Sequence, residues 1–476
     1  MDWQRIIEVG IVASCMMFSL MSHRLPAQTD SGVIVAWGTF FLLGLASSIW
    51  IAEHTTFALL EWSWMLLIVS LSILLRREGA IDHEKLDRWV LLTVLIASIA
   101  YSWWFWRINA FIYFDPLPEG VTRIVSFPGF ANIRFFSDYQ SLMLLLLPTA
   151  FYRLVPAGLI RSACTWLVGL YFTLALIVAS RSLVASHLLM HAILLAYLGK
   201  HYRPFLMLQL RFWIYGGIFL LILSWILPAL IHSGAGHTLT GTDSLTGING
   251  LIRSDSSKRL LLWQSAWEMI EEHPWLGVGP WHFANKPNPI AAGPHNFPLQ
   301  IATEWGVPAA ILLIWLIGHQ IYFRLRQVKR TSAEEINQVS LAMAGATIAV
   351  SLQAMFASSP MNYPVSQVAA LICFAYPVVR RTTTTSEDSC HSKYIIWGAG
   401  GASIIIVICT LTSLTSIQKR NDCFHHNQWP TTEYAPRFWQ QGWLVGPCGP
   451  GESLLSKSGG ITPSPQPAPL RQEPTT

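Results

Sequence analysis

Two arginines and one histidine have the positions in this sequence that best suit chemistry on an anionic substrate. Arg181 lies in ALIVASRSLVAS, Arg259 opens RLLLWQSAWEMIEE, and His295 follows a stretch rich in Pro and Gly. Guanidinium groups bind the oxygens of a diphosphate in bidentate pairs, and a helix N-terminus at Arg259 would strengthen such an anion site. Because an imidazole titrates near neutral pH, His295 suits the role of general base for a hydroxyl acceptor.

Two further polar positions border apolar runs. A cation between apolar helices is costly in lipid, so Arg181 is a functional candidate, although a snorkelling arginine in a short turn is the simpler alternative. Arg134 and Asn132 lie in PGFANIRFFSDYQSL, just before another apolar run. A helix N-cap by Ser137 or Asp138 would explain Asp138, but it would leave Asn132 and Arg134 without a role.

A carboxylate and two more histidines lie close to His295 in the sequence. Glu304 falls inside the apolar IATEWGVPAA, and a buried carboxylate needs a partner. Arg181 or His295 would serve, and a purely structural pair is an equal alternative. His273 and His282 have no recognised ligand spacing, so neither a metal nor a cofactor is predicted. His295 taken alone could equally be a loop histidine bonded to a carbonyl.

The composition indicates that these residues are carried by a membrane protein. Of the 476 residues, 52% are hydrophobic and 12% are charged, and 22 are tryptophans. No segment has the alternation of a strand, so helices are the way to satisfy the backbone in lipid. The net charge of +5 is explained by basic loops on one side of the membrane, not by nucleic-acid binding.

Runs of about 17 to 22 apolar residues predict an all-α polytopic membrane protein with about 11–12 transmembrane helices. An even number would put both termini outside, unless an early run is re-entrant. The chain divides into an N-terminal bundle (1–231) with a loop at 107–137, a large loop (232–306), C-terminal helices (307–416) and a tail (417–476). The candidate spans lie near 6–22, 32–52, 56–75, 88–106, 138–155, 162–179, 183–199, 211–231, 307–323, 339–358, 362–379 and 394–416.

Basic connections divide the two sides of the membrane. Clusters of Lys and Arg follow the predicted spans that end near 75, 199, 323 and 379, which makes those connections cytoplasmic. The loops 107–137 and 232–306 and the tail then face the periplasm of a bacterium. Within the large loop, residues 258–272 predict an amphipathic helix that His273-Pro274 ends, and Gly277 and Gly279 predict a tight bend after it.

Two cysteines differ from Cys15, Cys164, Cys373 and Cys409, which lie in apolar runs. Cys423 and Cys448 fall in the polar tail, where an oxidising periplasm would favour a disulfide between them. No C-x-x-C motif is present. The seven cysteines therefore give no metal pattern.

The ordered motifs resemble the O-antigen ligase and polymerase superfamily over roughly residues 125–380. They are ASRS around Arg181, R-x3-W at Arg259, EEHPWLGVG, and HN at His295. MNYP at 361–364 is similar to the E-Y-P of bacterial protein O-oligosaccharyltransferases, and the HHNQWP tail looks closest to the type IV pilin glycosylases of Pseudomonas. The sequence differs from the ligase pattern by having Trp263 in place of Leu, and from E-Y-P by having Asn362 in place of Glu.

The resemblance implies transfer of a preassembled oligosaccharide from undecaprenyl diphosphate, without a metal, at the periplasmic face of the bacterial inner membrane. Arg181 and Arg259 would hold the diphosphate, His295 would activate a Ser or Thr hydroxyl of a secreted protein such as pilin, and Arg134, Asn132, Asn296, Glu304 and Tyr363 would bind substrate. The alternatives are ligation to lipid A core and O-antigen polymerisation. A lipid-linked sugar transporter is a remote alternative, since it would need polar or broken helices at mid-membrane.

Overall fold

Apolar helices make up most of the described chain. The structure, a computed structural model, describes residues 31–78, 83–109, 133–226 except 179, 259–285, 291–330 except 292, 338–356 and positions 367, 373, 376, 405 and 408. The helices that form the N-terminal part are α1 (Ser31–Trp50), α2 (Thr55–Glu78), α3 (His83–Asn109), α4 (Ile133–Leu154), α5 (Leu159–Val178), α6 (Arg181–Leu198) and α7 (Arg203–Leu221). Those that follow are α8 (Arg259–Glu272), α9 (Phe297–Trp305), α10 (Val307–Arg330) and α11 (Gln338–Ala354).

Seven of these helices, α1, α2, α3, α5, α6, α7 and α10, are long and apolar enough to cross a membrane. Strands do not occur in the part of the chain that the structure describes. Exposed tryptophans lie near helix ends, as in the interfacial belts of membrane proteins, and include Trp50, Trp89 and Trp103. The predicted all-α polytopic class is therefore confirmed. The predicted span near 6–22, most of the spans near 362–379 and 394–416, and the tail with Cys423 and Cys448 lie outside the described residues.

Consecutive helices run in opposite directions through the bundle. Arg153, in the last turn of α4, pairs with Asp87 near the start of α3 at 3.3 Å. At the other end of the same helix pair, Tyr101 of α3 stacks on Phe136 of α4 with ring centroids 4.6 Å apart. The two contacts show that α3 and α4 are antiparallel. Short connections make α1 antiparallel to α2, and each helix from α4 to α7 antiparallel to the next.

This alternation gives the bundle two chemically different ends. At one, here called the basic end, α2, α6 and α10 finish and α3 and α7 start; its side chains include Lys85, Lys200, Arg203, Arg326 and Lys329. At the other, called the site end, α1 joins α2 and the helices α4, α6 and α10 begin. Clustering of Lys and Arg at one end is the pattern of a cytoplasmic face.

Two predicted helix starts are corrected by the structure. α4 begins at Ile133, so Asp138 lies in its second turn and is not the predicted N-cap. Its carboxylate is buried and accepts a hydrogen bond from the side chain of Gln353 on α11 at 2.7 Å. α7 begins at Arg203 instead of near 211, because a proline in its first turn is a favourable helix start. The helix then ends in a single π turn, Ile222–Ile226.

Two apolar cores hold the bundle together. The larger core joins α3 through α7 with α11 and includes the fully buried Leu145, Phe172, Leu194 and Met343. The second core joins α1, α2, α9 and α10 around Phe40, Ile301 and Trp305. Because α9 belongs to the second core, the short helix after His295 is packed into the bundle instead of lying free above it.

Candidate active site

Helix α8 covers the site end and presents one face to the loop that follows it. The buried side consists of Leu262, Ala266, Met269 and Ile270, as expected of the predicted amphipathic helix. Leu261 is 56% exposed. Leu262, Ala266 and Met269 pack with Phe283 and Ala291 of the loop in a small apolar cluster. The cluster fixes α8 against the segment that carries His295.

The turn after α8 is built as the sequence predicts. α8 ends at Glu272, directly before His273 and Pro274. Gly277 and Gly279 adopt φ angles of 67° and 106°, a region that side chains rarely enter. The amide of Gly279 donates to the carbonyl of Glu304 at 3.0 Å. A Cβ on Gly277 would lie 2.4 Å from the carbonyl carbon of Glu304, so the two segments can approach only because this residue is glycine.

The same loop is anchored on the turn between α1 and α2. The amide of His54 donates to Nε2 of His282 at 2.9 Å, and the side chain of Asn285 donates to Glu53 at 2.7 Å. The Ser47 hydroxyl donates to the carbonyl of Glu304 at 2.8 Å. These directional contacts join residues more than 200 positions apart in the chain. The first two membrane helices therefore position the candidate site.

The partners of His282 define its protonation. Because a carbonyl can only accept, Nδ1 must donate its proton to Pro280 O, 2.8 Å away. Nε2 accepts from the amide of His54, so it carries no proton. This network assigns His282 as a neutral, buried Nδ1–H imidazole with both nitrogens engaged by backbone groups. These contacts make His282 part of the support of the loop, whereas His273, directly after α8, is exposed.

Glu304 is buried with only 1% of its surface exposed. Its carboxylate accepts a hydrogen bond from the amide of Phe283 at 3.3 Å, which joins α9 to the short 3₁₀ helix His282–Asn285. The expected partnership with Arg181 or His295 stays a prediction. Next to it, the ring of Trp305 stacks on Phe40 of α1 with centroids 4.8 Å apart. Both residues fix the orientation of α9.

His295 lies between two anchored neighbours. On its C-terminal side, Asn296 is the N-cap of α9, and its side chain accepts from the amide of Leu299 at 3.0 Å. On its N-terminal side, the carbonyl of Pro294 accepts the indole N–H of Trp263 at 3.0 Å. His295 itself is half-buried and has a φ of 54°. Residues held in this left-handed region concentrate at functional sites.

Arg259 is the first residue of α8, and Trp263 lies one turn further along the same helix. By helical spacing, Arg259 lies on the side of Leu262 and Ala266, which faces the loop. The guanidinium is half-buried at a helix N-terminus, where peptide N–H groups also point outward. Trp263, on the same helix as Arg259, therefore contacts the residue directly before His295.

Two other predicted site residues, Arg134 and Arg181, lie in the first turns of helices at the site end. Arg181 is the first residue of α6, is exposed, and follows the N-cap Ser180. Arg134 is in the first turn of α4, which packs against α6. Asn132 and Tyr363 lie outside the described residues. Thus Arg134, Arg181, Arg259 and His295 all belong to the same end of the bundle, opposite the basic end.

The sequence alone predicts no role for Trp263 or for the turn between α1 and α2. Trp263 was noted only as a departure from the ligase pattern, and a tryptophan four residues after the arginine is the signal that was present. The polar stretch Glu53-His54 between two spans was a weaker signal for the anchoring turn.

Comparison with known proteins bears on the same segment. No curated protein sequence matches the chain. The family model described as O-antigen ligase matches residues 166–314, a range that runs from α5 into α10 and contains Arg181, Arg259, Trp263 and His295. The matched range, about a third of the chain, supports the resemblance to the O-antigen ligase and polymerase superfamily of membrane glycosyltransferases.

Proposed function

We propose that this protein transfers a preassembled oligosaccharide from undecaprenyl diphosphate to a Ser or Thr hydroxyl of a secreted protein, type IV pilin in particular. The donor class follows from the superfamily. The pilin acceptor rests on the MNYP motif and the HHNQWP tail of the sequence. The site end would face the periplasm, because the Lys and Arg residues of the basic end suit the cytoplasm.

One observation carries the proposal. α8 and the His295 loop are joined by Trp263 at the end of the bundle where Arg134 and Arg181 also begin their helices. An anion-binding arginine and a candidate base are therefore held on one rigid assembly, beside helices that cross the membrane. A lipid-linked diphosphate presents its phosphates at that level, while its sugar extends away from the membrane.

In the proposed reaction the acceptor hydroxyl gives its proton to His295 as its oxygen attacks the anomeric carbon of the donor sugar. A new glycosidic C–O bond forms, and the bond between that carbon and the phosphate oxygen breaks. Undecaprenyl diphosphate leaves with the electron pair of that bond. Arg181 and Arg259 would stabilise the negative charge that builds on the departing diphosphate, an interaction that strengthens in the transition state.

Ligation of the glycan to lipid A core, or polymerisation of O-antigen, is the second candidate. The family model is that of O-antigen ligases, and the same chemistry at His295 would serve either acceptor. The two candidates differ only in which hydroxyl reaches the site.

The decisive experiment compares pilin and lipopolysaccharide in a deletion strain that expresses the protein, its His295→Ala variant or its His273→Ala variant. We expect mass spectrometry to find glycosylated pilin with the wild type and with His273→Ala, since His273 is exposed and lies outside the bonded loop. We expect unmodified pilin and normal lipopolysaccharide with His295→Ala. Loss of O-antigen instead of the pilin glycan would establish the second candidate. Full activity of His295→Ala, at normal membrane abundance, would exclude the general-base role.

A further inference from the structure

We infer that Trp263 is a positioning residue for transfer: it sets the placement of His295 relative to the diphosphate-binding end of α8. This inference rests on the proposed function. It concerns a residue that makes its contact through the backbone of the His295 loop, not with the substrate.

The contact has a defined geometry. The indole N–H of Trp263 donates to the carbonyl of Pro294 at 3.0 Å, and that carbonyl directly precedes the backbone of His295. Pro294 is buried and Trp263 is half-buried, so the hydrogen bond is partly shielded from water. Trp263 also packs against the cluster of Leu262, Ala266 and Phe283. The indole ring is thus packed on α8, while its N–H donates to the backbone of the His295 loop.

The backbone of His295 needs such support. A φ of 54° is uncommon for a residue with a side chain, so the loop must be held in that conformation by its surroundings. On the far side, Asn296 is fixed by capping α9. On the near side, Pro294 has no N–H, and its carbonyl is engaged by Trp263. Removing the indole N–H of Trp263 therefore releases the support on the Pro294 side of His295.

The position of Trp263 relative to Arg259 explains why its contact with Pro294 would affect transfer. Trp263 follows Arg259 by one helical turn, so the same rigid helix carries the proposed phosphate ligand and the group that holds the base. Transfer requires the acceptor oxygen and the anomeric carbon to meet at near-attack distance, and small misplacements of a catalytic group reduce rates strongly. The predicted effect is on kcat, while donor binding through Arg181 and Arg259 is retained.

Trp267 offers a matched control on the same helix. It is exposed, and its indole N–H donates to Glu271 of the same helix at 2.6 Å, away from the loop. Trp263→Phe and Trp267→Phe each remove one indole N–H and keep an aromatic ring. Only the first breaks the connection to Pro294.

The test uses the full-length protein in liposomes of phosphatidylethanolamine and phosphatidylglycerol, with undecaprenyl-diphosphate oligosaccharide and purified pilin. We expect Trp263→Phe to lower kcat about tenfold, with the KM for the donor within about twofold of wild type, and Trp267→Phe to match wild type. The second readout is the rate at which diethyl pyrocarbonate modifies His295, followed by mass spectrometry. We expect that rate to rise severalfold in Trp263→Phe alone.

Equal kcat in the two variants, or an unchanged modification rate of His295 in Trp263→Phe, would overturn the inference. If Trp263→Phe does not fold, benzothienylalanine at position 263 replaces the N–H by sulfur without changing the shape of the ring, and the same two readouts apply. Failure of the proposed function is distinguishable, because the wild type would then transfer no oligosaccharide to pilin, while the modification rate of His295 would still report on the contact with Trp263.

Discussion

The backbone N–H of His54 donates to Nε2 of His282 at 2.9 Å, across 228 positions of the chain. His54 belongs to the turn between α1 and α2, and His282 belongs to the loop that leads to His295. The imidazole rings of the two residues also stack, with centroids 5.7 Å apart. A buried neutral histidine thus forms one of the polar contacts between the first two membrane helices and the candidate active site.

Replacing His282 by leucine should weaken the contact between the α1–α2 turn and the loop that leads to His295. The change removes the acceptor of the His54 amide and the donor to Pro280 while it keeps an apolar side chain of similar bulk. An unsatisfied buried backbone group costs about 1–3 kcal/mol, so the apparent melting temperature in detergent should fall by several degrees. Differential scanning fluorimetry of the purified protein measures the shift.

Asn285→Ala is the matched control for His282→Leu. Asn285 contacts the same α1–α2 turn through Glu53, but this hydrogen bond is exposed. We expect its loss to change the free energy of unfolding by at most about 0.5 kcal/mol. A melting temperature of His282→Leu equal to that of Asn285→Ala would show that the buried contact contributes no more than a surface one.

Asp138 and Gln353 form the corresponding buried pair between α4 and α11. Gln353→Leu would leave the carboxylate of Asp138 without its amide donor, at a cost of about 1–3 kcal/mol. The double variant Asp138→Leu with Gln353→Leu removes both polar groups, and we expect it to recover part of the lost stability. Melting temperatures of the two single variants and the double variant test this coupling; purely additive losses would contradict it.

Local rules explain which features the sequence could predict. α8 ends before Pro274, and the bend at Gly277 and Gly279 follows, because proline and glycine restrict the backbone wherever they stand. The membrane spans follow from runs of apolar residues, whose burial needs no specific partner. Asp138 was predicted as a cap because that role is the commonest local use of an aspartate at a helix start.

Most of the features that the sequence could not predict are long-range polar contacts. Nothing in the sequence near Gln353 indicates that it binds Asp138, 215 positions away. The anchoring of the His295 loop on Ser47, Glu53 and His54 depends in the same way on how the helices pack. Such contacts are specified by side-chain geometry across the bundle, and single-sequence periodicity carries no information about them.

The guanidinium of Arg259 should matter for more than its charge. Arg259→Lys keeps the positive charge at the N-terminus of α8 but loses the planar, bidentate fork that matches a diphosphate. We expect kcat/KM for the lipid-linked donor to fall by about ten- to a hundredfold, at unchanged protein abundance. Arg203→Lys, at the basic end, is the control and should leave the rate unchanged, since Arg203 begins α7 on the opposite side of the bundle. Equal losses in both variants would point to a general effect of replacing arginine on folding or insertion, not to loss of a diphosphate ligand.

The two ends of the bundle should be accessible from opposite sides of the membrane. In a cysteine-free background, Gln264→Cys places a thiol on the exposed side of α8, and Lys200→Cys places one at the exposed basic end. A membrane-impermeant maleimide should label Gln264→Cys in intact spheroplasts and should label Lys200→Cys only after the membrane is permeabilised. This pattern follows from the positive-inside rule, because the basic end carries the clustered Lys and Arg residues. The reverse pattern would place Arg259 and His295 in the cytoplasm, where an extracytoplasmic protein acceptor could not reach them, and the proposed transfer to pilin would then be excluded.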